Sequence, residues 1–251
     1  MEVSLRNDKR IGRVIFFVEG DEDEPLLLKT VFADLLGYSY VLLDRRDQQI
    51  TKYISEKDEF SKVYVIPMPT SAIKNIPADE DFRDYVYSLL KEHGLQYDES
   101  RIYYLFDRDP QSNKAPTVKE KISTLRNPLD NGEEMAGALV LSYPCLQTYY
   151  VECYNYSKCF QSSKAAKSFV GSKNIRSLTP NSLCVACNRM LATIKEITGE
   201  SFQMNWLDDY GEINAKVFEA EETHYLNHYK EYRTLSLLSI ALLDLGVLEF
   251  K

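Results

Sequence analysis

The chain has little tryptophan and little histidine, one and three among 251 residues, and no cysteine-dense segment. Its five cysteines are an odd number, scattered through a chain without an export signal, and are expected to be free thiols. The start, MEVSLRNDKR, is too polar for a secretory leader. The longest apolar stretch, Leu235 to Leu248, contains Ser236, Ser239 and Asp244 and is shorter than the ~20 residues a membrane span needs. A cytoplasmic chain with no membrane partner is expected. There is no glycine-rich phosphate loop and no Gly-x-Ser-x-Gly elbow, so ATP hydrolysis by this chain alone is not expected. Internal repeats and low-complexity tracts are also missing.

The net charge of −8 argues against a protein that coats nucleic acid as a histone does. The charge is uneven, however. Between Cys153 and Lys195 there is no Asp or Glu, while Lys158, Lys164, Lys167, Lys173, Arg176, Arg189 and Lys195 fall there. Such asymmetry suits a polyanion-facing segment in an otherwise acidic protein, or a solvated surface loop.

Continuous apolar runs mark strands buried on both faces: Val14–Val18, Val63–Ile66, Ile102–Phe106 and Ala138–Leu141, with a further strand at Tyr40–Leu43. Helical stripes alternate with them. Pro25 opens one whose apolar positions are Leu26, Leu27, Val31, Leu35 and Leu36, and Gly37 closes it. Others are expected over Asp79–His93 and Thr117–Leu125. The alternation predicts an α/β fold with a mainly parallel sheet flanked by helices. After Pro144 helical periodicity takes over, best at Ser182–Thr198 and Glu219–Leu245. The expected division is a sheet domain over 1–145 and a mostly helical C-terminal region over 146–251 packed on it.

Two strands run directly into acids, Val18-Glu19-Gly20 and Phe106-Asp107-Arg108-Asp109. The C-terminal ends of parallel strands share one edge, where ligands bind. Asp107 and Asp109 are two apart and lean to the same side of an extended chain. If the strands are neighbours, Glu19, Asp107 and Asp109 converge, and crowded anions call for a hard dication such as Mg²⁺ or Mn²⁺. Asp23 is a further candidate ligand; Glu22 and Glu24 rank below it. Acids near a helix start are also favoured by the helix dipole, the bland account of Asp21 to Glu24. The bland account of Asp107 and Asp109 is a turn with a helix cap.

The stretches VIFFVEGDEDE and IYYLFDRDP resemble the TOPRIM domain of topoisomerases, bacterial primases, small ribonucleases and OLD-family nucleases, which has a Rossmann-like fold. Their spacing is long for that domain and implies an inserted strand or loop between about Asp44 and Ser61. The short chain with a helical tail is most similar to the standalone TOPRIM proteins of phage-defence systems, the RloB-like proteins and the TOPRIM effectors paired with ATPases. Ser142-Tyr143-Pro144-Cys145-Leu146-Gln147 is similar to an Asn-Pro-Cys-hydrophobic-Glu segment of the RloB-like group. Gln147 stands where that group has an acid, with Glu152 the nearest replacement.

The resemblance implies a metal-dependent nuclease acting on RNA or DNA, a toxic effector of an antiviral (abortive infection) system. Glu19, Asp107 and Asp109 would be catalytic and, with Asp23, would hold the metal. Lys158, Lys164, Lys167, Lys173 and Arg176 would hold substrate phosphates, with Tyr149, Tyr150, Tyr154, Tyr156 and Phe160 among them for stacking on bases or as core. A regulatory partner such as an ATPase and a homodimer are further expectations. The competing reading is a non-catalytic binding module, suggested by Gln147 and the net negative charge. Cys184, Cys187, His224 and His228 could in principle make a zinc site, but Cys-Val-Ala-Cys sits in an apolar helical pattern where cysteine is usually core.

Overall fold

Two aromatic pairs fix the centre of the sheet. The computed structural model describes residues 2–43, 50–68, 73–76, 88, 91, 100–129 and 137–251. The first half contains β1 (Val3–Leu5), β2 (Arg13–Val18), α1 (Asp23–Lys29) with a π-helical continuation over Thr30–Leu35, β3 (Tyr38–Leu42), β4 (Thr51–Ser55) and β5 (Lys62–Pro67). Then follow β6 (Ser100–Asp107), α2 (Ala115–Thr124), β7 (Arg126–Asn127) and β8 (Gly137–Tyr143). Phe16 and Phe17 of β2 stand opposite Tyr103 and Tyr104 of β6, with ring centroids 5.1 and 5.2 Å apart. Stacked cross-strand pairs penalise a one-residue slip, which would turn each ring to the wrong face.

The second half contains α3 (Gln147–Cys153), β9 (Cys159–Phe160), α4 (Ser163–Lys173), α5 (Pro180–Thr198) and α6 (Tyr210–Asn227). It ends with β10 (Tyr232–Arg233), β11 (Leu235–Ser236), α7 (Leu238–Asp244) and β12 (Leu248–Phe250). The main sheet runs β11-β8-β6-β2-β5-β4-β3, with β7 also on β8. The four central strands β8, β6, β2 and β5 are parallel; β4, β3, β7 and β11 join antiparallel. The mixed α/β fold with a mostly parallel sheet between helices is therefore as the sequence pattern indicates. β4 falls inside the interval where an inserted strand or loop is expected. The helix expected over Asp79–His93 lies outside the described residues except for Ser88 and Lys91.

The C-terminal region is woven into this sheet. β11 pairs with the end of β8 and the Asn214 amide on α6 donates to the Leu139 carbonyl at 2.7 Å, while β12 pairs with β1 in a separate two-stranded sheet. The single helix expected over Glu219–Leu245 is instead a helix, two short strands and a second helix. The break has a local cause: Tyr229 and Lys230 take left-handed backbone angles, φ 53° and 59°, which no α-helix continues through. α6 also begins earlier than expected, because the Asp209 side chain caps it by accepting from the Glu212 N–H at 3.3 Å. Among the described residues no helix is long and apolar enough to cross a membrane.

Candidate functional site

The chain leaves β2 towards β5 on one side and returns at β6 on the other. Strand order reverses there, and the carboxyl ends of β2 and β6 flank the position where such sheets usually bind ligands. Glu19 directly follows β2 and Asp107 ends β6. The Glu19 N–H donates to the Leu105 carbonyl at 3.2 Å, extending the ladder by one residue. Its carboxylate accepts the Asp107 N–H at 2.8 Å, so these two acids meet as expected.

The Ser142–Gln147 stretch closes the other side. Asp107 Oδ1 accepts the Leu146 N–H at 2.7 Å. The Arg108 and Asp109 N–H groups donate to the Ser142 and Pro144 carbonyls at 2.9 and 3.1 Å. The Asn113 amide donates to the Asp107 carbonyl at 3.1 Å. The acid-bearing loop is thus held by backbone and amide groups, none of which brings a positive charge to Asp107.

Asp109 does not join the pair as closely. Its carboxylate accepts from the Gln111 N–H at 3.2 Å and the Ser112 hydroxyl at 2.9 Å, the geometry of a turn. The third buried acid is Glu24, ranked lower on sequence. It lies in the first turn of α1, 7 % exposed, and folds back over Gly20. A Cβ at residue 20 would stand 2.7 Å from Glu24 Oε2, so the carboxylate tip rests in space that the glycine leaves open. The sequence signal was a glycine beside Glu19 with an acid one strand-to-helix turn further on.

Burial and mutual repulsion set the electrostatics. Desolvation, opposed by the Asp107 N–H and reinforced by Glu24 and Asp109, pushes Glu19 up to about 7. Burial first, then Glu19 and Glu24, holds Asp107 well above the ordinary carboxylate range. Burial, with Asp23 and Asp21 adding, raises Glu24 as well. Lys167 is the cation that counters all three. Among the described residues none of the three has an ion-pair partner.

A folded-state pKa above the ordinary value means the fold binds the proton more tightly than the unfolded chain does. The stability contribution is complete at acid pH and declines as pH rises through about 7. For Glu19 alone the decline is roughly 3 kcal/mol. His224, lowered by burial, acts in the opposite sense. We expect denaturant unfolding in EDTA to give a less stable protein at pH 8 than at pH 5.5, with Glu19→Gln flattening the profile. A wild-type profile that rises over this interval would contradict the arrangement of acids.

The predicted basic residues Lys158, Lys164, Lys167, Lys173 and Arg176 are all exposed, on α4 or beside it. Two of them reach the acid pocket: Lys167 Nζ is 3.3 Å and Arg176 Nη1 3.6 Å from Asp23. Asp23 also accepts from Gln147 Nε2 at 2.7 Å. It therefore faces cations and an amide, where a role as metal ligand was expected. Of the aromatic residues in this segment, Tyr149, Tyr150 and Phe160 are core, while Tyr154 and Tyr156 are exposed.

Glu152 does not replace the acid missing at 147. Five helical residues turn the side chain by about 140°, and Glu152 is fully buried, accepting from the Ser236 N–H at 3.2 Å. Arg108, between the two aspartates, turns instead to Glu222 and the Asn113 carbonyl and is 2 % exposed. Cys184 and Cys187 lie on α5, one half-buried and one buried, and His224 Nε2 instead stands 4.0 Å from the Cys159 sulfur. Among the described residues no group of three His, Cys, Asp or Glu side chains is already arranged to hold a metal ion. Compared with family models, curated proteins and solved structures, the chain matches none.

Proposed function

We propose that this chain is a metal-dependent nuclease of the TOPRIM type. The observation that carries the reading is the Glu19 carboxylate bonded to the Asp107 N–H at a sheet switch point, with the basic α4 segment beside it. The donor set suits a hard dication. Glu19, Asp107 and Glu24 offer only carboxylate oxygens, and burial with mutual repulsion raises all three, so a dication beside them would favour their ionised forms. Glu19 and Asp107 would hold Mg²⁺ or Mn²⁺, and Glu24 is better placed than Asp109 to assist. A bound dication supplies charge stabilisation at a scissile phosphate and a more acidic water. The protein's own part is to fix Asp107 through the Leu146 N–H, to hold the Glu19 carboxylate against the Asp107 N–H, and to bring Lys167 and Arg176 to the substrate side. The place in an antiviral system, the ATPase-type partner and the homodimer are supported by the family resemblance alone.

The test is purified protein with Mg²⁺ or Mn²⁺ on RNA and on DNA. We expect cutting of at least one; cutting of neither, alone or with a partner, removes the reading. The engaged carboxylate of Asp109 favours a second reading, a non-catalytic nucleic-acid or protein binding module. Calorimetric titration with Mn²⁺ separates the two. The nuclease should bind it, more tightly at pH 8 than at pH 6 because Glu19 must lose its proton, and the module should show no saturable heat.

A further inference from the structure

Asp23 is the meeting point of the acidic pocket and the basic segment. Its Oδ1 faces Arg176 Nη1 at 3.6 Å; its Oδ2 faces Lys167 Nζ at 3.3 Å and accepts from Gln147 Nε2 at 2.7 Å. Among the described residues Asp23 is the one carboxylate ion-paired with the basic stretch from Cys153 to Lys195. The two cations come from different places, Lys167 from α4 and Arg176 from the loop after it, and both side chains are about half exposed, 50 % and 48 %.

Gln147 is the fixed part of the arrangement. It is 1 % exposed, and its Oε1 is buried with no hydrogen-bond partner, so its bond to Asp23 is the directed contact of its amide. A carboxylate at 147 would face Asp23 at hydrogen-bond distance and repel it, whereas the amide donates to it. The departure from the resembled motif at this position thus has a local use.

One carboxylate held between a lysine, an arginine and an amide N–H has the same donor requirement as a phosphodiester: a single negative charge shared by two oxygens. We propose that Lys167 and Arg176 form a subsite for a backbone phosphate of nucleic acid beside Glu19 and Asp107, and that Asp23 fills it in the free protein as an internal substitute. The inference rests on the nuclease reading above and adds a restraint to it. A substrate phosphate must displace Asp23 before it reaches the acid pocket. Half-exposed ion pairs are weak, so the exchange is within reach of a phosphate making charge-assisted bonds to the same cations.

The experiment is fluorescence anisotropy of a fluorescein-labelled single-stranded RNA, and of its DNA counterpart, in EDTA so that nothing is cut. We expect Asp23→Asn to bind about 3–10-fold tighter than wild type, with a steeper dependence on salt, because two cations are freed for phosphate. In a Lys167→Ala/Arg176→Ala background, binding should weaken and Asp23→Asn should give no further gain. Gln147→Leu, which removes the buried donor without changing charge, should shift affinity in the same direction as Asp23→Asn and serves if that variant does not fold. A gain that persists without the two cations would be a general charge effect and would overturn the proposal. So would no gain while wild type binds and the Lys167/Arg176 variant does not; the nucleic-acid reading would then stand without the restraint. If wild type and Asp23→Asn both bind neither probe, both readings fall.

Discussion

Glu19→Gln should abolish metal-dependent cleavage and at the same time make the free protein more stable. The two effects have one cause. Glu19 is half-buried beside Asp107 and Glu24, and its charge is disfavoured there enough to lift its pKa to about 7. Glutamine keeps an oxygen to accept the Asp107 N–H, so the local geometry is retained. It removes a charge that the fold tolerates poorly, and with it a hard oxygen ligand and a titratable group. At pH 8 in EDTA the gain should be about 2–3 kcal/mol, a rise in Tm of about 5–10 °C for a chain of this length. Cleavage should fall by a factor on the order of 10³. A structural acid gives the reverse pattern, with lost stability and retained activity. Melting curves and cleavage rates on the same preparation decide. Unchanged cleavage would remove Glu19 from the chemistry, and a lower Tm would show that its charge is compensated in the fold.

The largest loss of stability is expected at Arg108, the residue between the two aspartates. Its guanidinium is 2 % exposed; Nε donates to Glu222 at 2.8 Å and Nη1 to the Asn113 carbonyl at 2.6 Å. It lies 5.4 and 5.6 Å from the ring centroids of Phe218 and Tyr232. Arg108→Ala leaves Glu222 without its cation in a mostly buried place and opens a void between two rings. Breaking one side of such a pair costs about 3–5 kcal/mol, where an exposed pair would cost under about 1. Tm should drop by roughly 10 °C or more. Arg108→Lys should fall between, because a lysine restores charge but not the planar fork and the stacking. Since Asn113 also bonds the Asp107 carbonyl, the loss should spread to the acid loop and weaken Mn²⁺ binding. An Arg108→Ala protein within about 0.5 kcal/mol of wild type would mean that the pair contributes nothing net, as buried ion pairs sometimes do.

Both cases show where local pattern and tertiary contact divide. The strands VIFFV and IYYLF announce themselves because a strand buried on both faces must be apolar at every position, and no other element of that length needs to be. Their acidic ends are equally visible, because the change from apolar to charged is abrupt. The tail was less legible. The apolar content of Leu235–Leu248 suits a helix or a strand, and pairing with the edge of β8 makes Leu235–Ser236 the strand β11 ahead of α7. That Glu24 is buried beside Glu19 while the Asp109 carboxylate accepts from a turn N–H and hydroxyl is equally invisible in the linear order.

By itself the sequence determined the buried central strands of the sheet, the acids at the ends of β2 and β6, and a basic stretch without a carboxylate of its own. These are properties of neighbours along the chain, and periodicity and charge report them directly. Only the tertiary structure decided that β2 and β6 are adjacent at a switch point, that Glu24 completes the buried acids, that Glu152 and Arg108 face elsewhere, and that Asp23 meets Lys167, Arg176 and Gln147. Those contacts join residues up to 153 positions apart, from Asp23 to Arg176. They depend on how strands are ordered across a sheet, and linear spacing carries no record of that order.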